Sequence, residues 1–377
     1  MTNFGPDGAT AKVRAYPLNT WYAAAWDREV TDAVILSRTV AGKPLALYRT
    51  AAGRPVAVAD ACWHRLAPLS MGKLVGNDEI QCPYHGLRFN SAGRCTFMPA
   101  QQTINPSAMI ASYPVVERHR FVWVWLGDPL RADPSTVPDM FQMDSPEWAG
   151  DGDTIAVDAN YQLVVDNLMD LTHEEFVHTS SIGQDELSGS DFVVTHDDRT
   201  VTMTRWMLGV DAPAFLLANM RDRFPGFDEK VDRWQIIEFQ APGTIRIDVG
   251  VAKAGTGAPQ GDRSQGINGF VMNTIAPATD RTAHYFWAFM RNWNLDDPQI
   301  TARTRDGVRR VFGEDEAMLA AQQRAIDANP DYQFYNLNID AGGMWTRRVI
   351  QRMLEAEQQL AAPSGSTRAH TTKGVVI

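Results

Sequence analysis

Two short strings, Cys62-Trp63-His64 and Cys82-Pro83-Tyr84-His85, constrain this chain more than anything else in its sequence. Two cysteines and two histidines can hold a tetrahedral zinc. They can also hold a Rieske [2Fe–2S] cluster, in which two cysteines ligate one iron and two histidines the other. The order of the ligands favours the cluster. Mixed zinc sites commonly group Cys-x-x-Cys apart from His-x-x-x-His, whereas here each string supplies one Cys and one His. Each loop can then reach one iron through sulfur and the other through nitrogen. Gly72, Gly76 and Gly86 permit tight loops beside these ligands, and Pro68 and Pro83 stiffen them.

Three cysteines in 377 residues make no disulfide framework. The third, Cys95, has no partner at ligand spacing and is expected to be a small buried hydrophobe. The first residues lack the apolar core of a secretory signal, so a reducing cytoplasm is the expected compartment. A net charge of −10 argues against nucleic acid or an anionic membrane as partner, since both require a basic face. No stretch approaches the ~20 apolar residues of a membrane span.

A Rieske cluster only moves electrons, and most of the chain lies beyond it. Of the remaining histidines only His173 and His178 are close together, in Asn167-Leu168-Met169-Asp170-Leu171-Thr172-His173-Glu174-Glu175-Phe176-Val177-His178. Two histidines and a carboxylate with open positions form the facial triad of non-haem iron oxygenases. Five residues turn a regular helix by ~500°, so a shared metal requires the helix to distort or end between the two.

Domain organisation follows composition. Residues 1–15 are read as a flexible N-terminus. Residues 16–130 show short β-like runs (LALYR, VAVAD, FVWVWLGDP) broken by turn signals, the pattern of an all-β domain. Residues 130–150 are proline-bearing and read as a linker over the surface. Up to 361 the grammar is α+β. The segment from Tyr161 has a strand-like start and a helical middle, and 192–206 and 234–250 look like strands. VMNTIAPATDRTAHYFWAFMRNW reads as a hairpin with a proline-centred turn. Helical spacing runs from Pro298 to a stop at Asn329-Pro330, and a last helix covers 343–361. Residues 362–377 read as a flexible tail.

The strings CPYHGLRF, YPVVER, VDNLMDLTHEEFVH, RNWNLDDP and FGEDEAMLAAQQ resemble the oxygenase α-subunits of the Rieske non-haem iron family, nearest the vanillate and dicamba O-demethylase branch. The likeness extends from about 16 to 361. It implies a Rieske [2Fe–2S] domain at 16–130 and an antiparallel-sheet helix-grip catalytic domain at 131–361. It makes Cys62, His64, Cys82 and His85 the cluster ligands, with one mononuclear Fe(II) on His173, His178 and Asp315. Asp296 and Asp297 compete for that third place, but they sit before Pro298 and are better suited to cap the following helix. Asp170 corresponds to the carboxylate bridging a cluster histidine and an iron-ligand histidine, and Asn167 lies near the iron. In the family this bridge crosses a subunit boundary, which implies a head-to-tail homotrimer.

The implied activity is that of a terminal monooxygenase component, O-demethylating a small methoxylated aromatic. Hydroxylation of an aryl methyl or ring position is the alternative, and a non-catalytic Rieske electron carrier the remote one. One spare cysteine cannot build a second, four-cysteine cluster, and no Gly-x-Gly-x-x-Gly loop is present, so electrons from NAD(P)H must arrive through a separate reductase. The branch has a pocket histidine where this chain has Asn273, read here as a hydrogen-bonding substrate contact. Binding a carboxylate would instead require a basic side chain such as Arg205 or Arg233.

Overall fold

A computed structural model describes residues 16–76, 78–99, 101–178 and 189–361. The expected flexible ends at 1–15 and 362–377 lie outside the described residues. In the N-terminal part, WYAAAW (Trp21–Trp26) pairs antiparallel with FVWVW (Phe121–Trp125), which pairs in turn with Val115–Arg118. Every residue of the first two strands is buried, as uninterrupted apolar runs demand. Leu36–Val40, Lys43–Arg49, Pro55–Ala59 and Ser112–Tyr113 form a second sheet. Lys73–Val75, Glu79–Gln81, Arg88–Phe89 and Cys95–Phe97 form a third. Cys95 is buried beside Ile80 and Phe89, a packing role.

The segment after this domain runs over the surface and is pinned there at a few points. Its 3₁₀ turns Pro129–Arg131 and Pro134–Thr136 are capped by the Asp128 and Asp133 carboxylates. Val137, Met140 and Met143, three residues apart, are buried in a core that also holds Trp21 and Phe286. That core joins the two halves of the chain. Hydrogen bonds add to the junction: Ala41 N–H to Pro277 O (2.6 Å), Gly42 N–H to Ala278 O (3.0 Å), and His284 Nε2 to Thr39 O (3.0 Å).

The C-terminal part is built on a seven-stranded antiparallel sheet. Its spatial order is Ala149–Val157, Thr282–Arg291, Gly266–Thr279, Thr244–Lys253, Val231–Gln240, Thr200–Val210, Phe192–His196. Five helices accompany it among the described residues: α1 (Tyr161–Met169), α2 (Glu174–Val177), α3 (Ala214–Arg223), α4 (Pro298–Ala328) and α5 (Ala341–Ala361). One hydrophobic core holds side chains of α1, α4, α5 and the sheet. No described helix is long and apolar enough to cross a membrane.

Two local expectations fail for identifiable reasons. The strand-like start at Tyr161 is helix α1, because its β-branched Val164 and Val165 are core residues of a helix buried on most sides. Its N-terminus is fixed by Asn160, whose side chain accepts from Gln162 N–H. Pro277 lies inside a strand rather than at the hairpin turn. The neighbouring strand ends its pairing at Thr274, so no ladder bond needs the missing N–H.

Candidate metal centres and substrate cavity

The two Cys/His loops fold into matching shapes. Cys62 N–H donates to Ala67 O and Leu66 N–H returns to Cys62 O. Cys82 N–H likewise donates to Leu87 O and Gly86 N–H to Cys82 O. The closing residue of each loop has positive φ: Gly86 at 76°, and Leu66, with a side chain, at 57°. Both cysteines are buried and both histidines exposed, with the rings 4.6 Å apart. Burial pushes the Cys62 thiol up to about 11, although backbone N–H groups of His64 and Arg65 point at its sulfur. A thiol so placed becomes a thiolate only on a directly bound metal. Paired buried sulfurs, paired exposed imidazoles and N–H groups aimed at sulfur fit a Rieske cluster with its histidine-bound iron at the surface.

The second centre is assembled by breaking a helix. Helix α1 ends at Met169, a 3₁₀ turn covers Leu171–His173, and α2 provides one turn before His178. His173 caps the start of α2 and His178 its end, so residues five apart converge with rings 5.2 Å apart. Asp315 joins them from α4. The buried positions of α4 (Ile300, Thr304, Val311, Phe312, Asp315, Leu319, Gln323) follow helical spacing, and Asp315 sits on that stripe. Asp315 Oδ1 is 3.4 Å from His173 Nε2 and 3.3 Å from His178 Nε2. These three could hold a single metal ion, with ligand atoms within 4.8 Å of one another.

Both imidazoles are oriented through Nδ1. His173 Nδ1 is 2.6 Å from the main-chain oxygen of Asp170, and His178 Nδ1 is 2.7 Å from Glu314 Oε2. An oxygen acceptor at each Nδ1 fixes the proton there and leaves the Nε2 lone pair for a metal. Burial opposes charge on the two imidazoles, but hydrogen bonding and attraction to Asp315 raise both. Burial also opposes charge on Asp315, and the same two partners hold it at about 2. The trio binds positive charge, as a cation site must.

Asn167 Nδ2 donates to Asp315 Oδ1 (3.1 Å) and lies 3.5 Å from His173 Nε2. Asp170 differs from expectation, because its main-chain oxygen, rather than its carboxylate, meets His173. The carboxylate accepts from Thr172 N–H and Oγ1–H and lines an outer groove with His173, Phe334, Tyr335 and Leu337. Asp297 caps α4, accepting from Gln299 and Ile300 N–H, and takes no part in the centre.

A cavity of about 280 Å³ opens beside the triad. Its walls are Leu168 of α1, Phe215 and Leu216 of α3, Val308, Val311 and Phe312 of α4, and Ile247, Val249, Val271 and Phe289 of the sheet. Its polar side chains are Glu174, Arg233, Gln235 and Arg310. Glu174 is buried and accepts from Arg233 Nη2 (3.2 Å) and Gln235 Nε2 (3.0 Å). Asn273 is not among the lining residues. It is fully buried, donating to Ile245 O and Val271 O and accepting from the Tyr285 hydroxyl, so its amide is consumed by the sheet. Arg205 is buried on the same sheet face, opposite Gln235 on the next strand, but is not among the lining residues.

The Rieske [2Fe–2S] domain model matches residues 20–114, and the vanillate O-demethylase oxygenase C-terminal domain model matches 157–356. This chain belongs to the Rieske non-haem iron oxygenases. It is 41% identical to a Pseudomonas vanillate O-demethylase oxygenase subunit, over 92% of this chain and 97% of that one. It is 40% identical to the iron-sulfur subunit of the toluene-4-sulfonate monooxygenase system of Comamonas testosteroni, over 92% of this chain and 99% of that one. The crystal structure of dicamba monooxygenase bound to 3,6-dichlorosalicylic acid superposes with a TM-score of 0.83 at 32% identity, covering 90% of this chain and 98% of that one. This Rieske oxygenase is an oxidoreductase with one [2Fe–2S] cluster and one mononuclear iron. Sequence reasoning had missed Glu314, Glu174, Gln235 and Arg310. The first two stand beside metal ligands in Gly-Glu-Asp and His-Glu-Glu, and only the fold shows which carboxylate faces the imidazole and which the cavity.

Proposed function

We propose that this protein is the terminal oxygenase of a multicomponent monooxygenase that O-demethylates a small methoxylated aromatic compound. One observation carries the reading. The His173–His178–Asp315 site forms part of the lining of an apolar cavity suited to a single aromatic ring. Iron bound there would supply the activation of O₂, using electrons delivered from the cluster. The chain's own residues do the rest. Leu168, Phe215, Val271 and Phe289 exclude water and hold the ring, and His173 and His178 keep their protons on Nδ1. Asn167 holds Asp315 from the side. A methoxy carbon hydroxylated in this cavity collapses to a phenol and formaldehyde. Hydroxylation of an aryl methyl group is the second reading, favoured by the 40% identity to the toluene-4-sulfonate system.

The cluster ligands on this reading are Cys62, His64, Cys82 and His85, within a Rieske domain at 16–130 that feeds a catalytic domain at 131–361. Asp170, bordering the outer groove, would meet a cluster histidine of a neighbouring copy in a head-to-tail homotrimer. Exposed Trp63, Leu66 and Tyr84 around the cluster, and exposed Phe334, Tyr335 and Leu337 around Asp170, support such mutual burial. A separate reductase supplies electrons, and the unbridged cysteines accord with a cytoplasmic setting. The test is formaldehyde release from methoxylated benzoates and phenols by the iron-loaded oxygenase with a reductase. Oxygen uptake that yields hydroxymethyl products and no formaldehyde would select the second reading.

A further inference from the structure

Two glycines stand in the interior of helix α4, Gly307 and Gly313, where glycine weakens a helix relative to alanine. Gly307 lines the cavity beside the triad, and Gly313 does not. Along the cavity α4 presents Gly307, Val308, Val311, Phe312 and Asp315, a stripe at helical spacing, with exposed Arg310 beside it. Gly307 is the member of that stripe without a side chain. Backbone geometry does not ask for glycine there, because its φ is not positive. Packing does not ask for it either. A Cβ on Gly307 would meet no described atom within 4 Å beyond its own stretch of helix. The sheet glycines Gly250 and Gly269 differ, since a Cβ there would collide with the rings of Trp234 and Phe289.

We infer that Gly307 is a specificity residue: its missing side chain sets how long a substituent the substrate can carry on the side away from the metal. This rests on the proposed oxygenase function of the same site. Helix α4 sets the scale. Gly307 precedes Asp315 by about 12 Å along the axis, with Val311 midway. The two positions are ~80° apart around the helix, so one cavity borders both. A ring whose reacting substituent is at the metal therefore points its opposite substituent past Val311 towards Gly307. There the backbone is bare, and the room that a side chain would fill is left to the substrate. Val308, the next residue, belongs to a hydrophobic cluster with Phe215 and Leu216 of α3. The far end of the cavity thus suits an apolar extension, whose burial adds affinity in proportion to its area. The helix gives up some stability at Gly307, and the cavity gains length.

The test is equilibrium binding of 4-methyl-, 4-ethyl-, 4-propyl- and 4-butylanisole to the iron-loaded oxygenase, with thermal melts of the unliganded protein. In the parent each added methylene should tighten binding about fourfold until the chain fills the space at Gly307, and no further. Gly307→Ala should end that rise about one methylene sooner and Gly307→Val sooner still, while 4-methylanisole binds all three proteins equally. Gly307→Ala should also raise the melting temperature by about 2–4 °C, because alanine is the better helix former. Gly313→Ala should raise it similarly and leave the binding series unchanged. A variant that binds less because it is damaged would melt lower and weaken all four ligands alike. That pattern, the same series in parent and Gly307→Ala, or a parent indifferent to chain length overturns the assignment. Length-dependent binding without formaldehyde release would refute O-demethylation alone. Formaldehyde release with one length profile in every variant would refute the role of Gly307 alone.

Discussion

Asp315 occupies a position on the buried stripe of α4 where Phe312 and Leu319, one turn to either side, are apolar. A buried carboxylate costs several kcal/mol of desolvation unless it is matched by partners. Here its partners are two imidazoles and the Asn167 amide, and their joint purpose is a metal. Asp315→Ala should therefore abolish mononuclear iron and turnover while leaving the Rieske EPR signal intact. Asp297→Ala should retain iron, and the reverse result would move the third ligand to Asp297. His85→Cys should shift or abolish the EPR signal instead, because cluster potential depends on its nitrogen ligands. Glu314 acts one bond further out. The two iron-site imidazoles are oriented differently, His173 by a neutral carbonyl and His178 by a carboxylate. Removing such an orienting partner typically weakens metal binding ~10–100-fold. Glu314→Ala should fall in that range, and Glu314→Gln, which can still accept from Nδ1, should lose less. Equal iron affinity in the variants and the parent would show that Nδ1 needs no carboxylate.

Helix α2 is a single turn, too short to be stable by itself, yet it carries a metal ligand at each end. Its anchor is Glu174, held to the sheet by Arg233 and Gln235. Truncating one partner of a buried ion pair costs about 3–5 kcal/mol because the other charge stays buried. Glu174→Ala should lower stability by that amount and reduce iron occupancy. The double variant Glu174→Leu with Arg233→Met should recover stability. A stable Glu174→Ala protein with full iron would mean that α2 is held by apolar packing alone. This anchor was invisible in the sequence, because nothing in His-Glu-Glu tells which glutamate turns inward. The two paired Cys/His loops were legible because local spacing encodes them, and α4 and α5 because their periodic stripes are long. The break between α1 and α2 was foreseeable from the five-residue histidine spacing. Asn273 shares a sheet face with the cavity-lining Val271 but lies two residues further along, and resemblance to the branch could not show its amide taken up by Ile245, Val271 and Tyr285. Asp315 was found through resemblance rather than spacing, as its partners lie more than a hundred residues away in the chain.

The junction between the two domains carries a titratable group, His284. Burial, and then the charge of Arg38, lowers His284 to about 4, while its Nε2 faces Thr39 O across the junction. The unfolded chain, with a histidine near 6.5, binds more protons between about pH 4 and 6.5. The stabilising contribution is thus complete above 6.5 and is lost as pH falls towards 4, at most about 2–3 kcal/mol given the partial exposure. Thermal melts across that range should flatten in His284→Gln, which keeps a donor for Thr39 and cannot be protonated; an unchanged slope would assign acid sensitivity elsewhere. The larger organisation is tested by mixing chains. In one copy His64 and His85 are exposed at the surface, and Asp170 borders a separate outer groove. If copies close head to tail, the cluster of one chain serves the iron of the next, and a defect in each can be covered by a neighbour. A cluster-dead His85→Cys chain and an iron-dead Asp315→Ala chain, each inactive alone, should regain activity when unfolded and reassembled at equal ratio. Random assembly makes roughly a quarter of the junctions competent, an intact cluster facing an intact iron, so about a quarter of the parent activity is expected. The double variant mixed with either single variant should stay inactive. A silent mixture that contains trimers by mass would place electron transfer within one chain and remove Asp170 from the bridge.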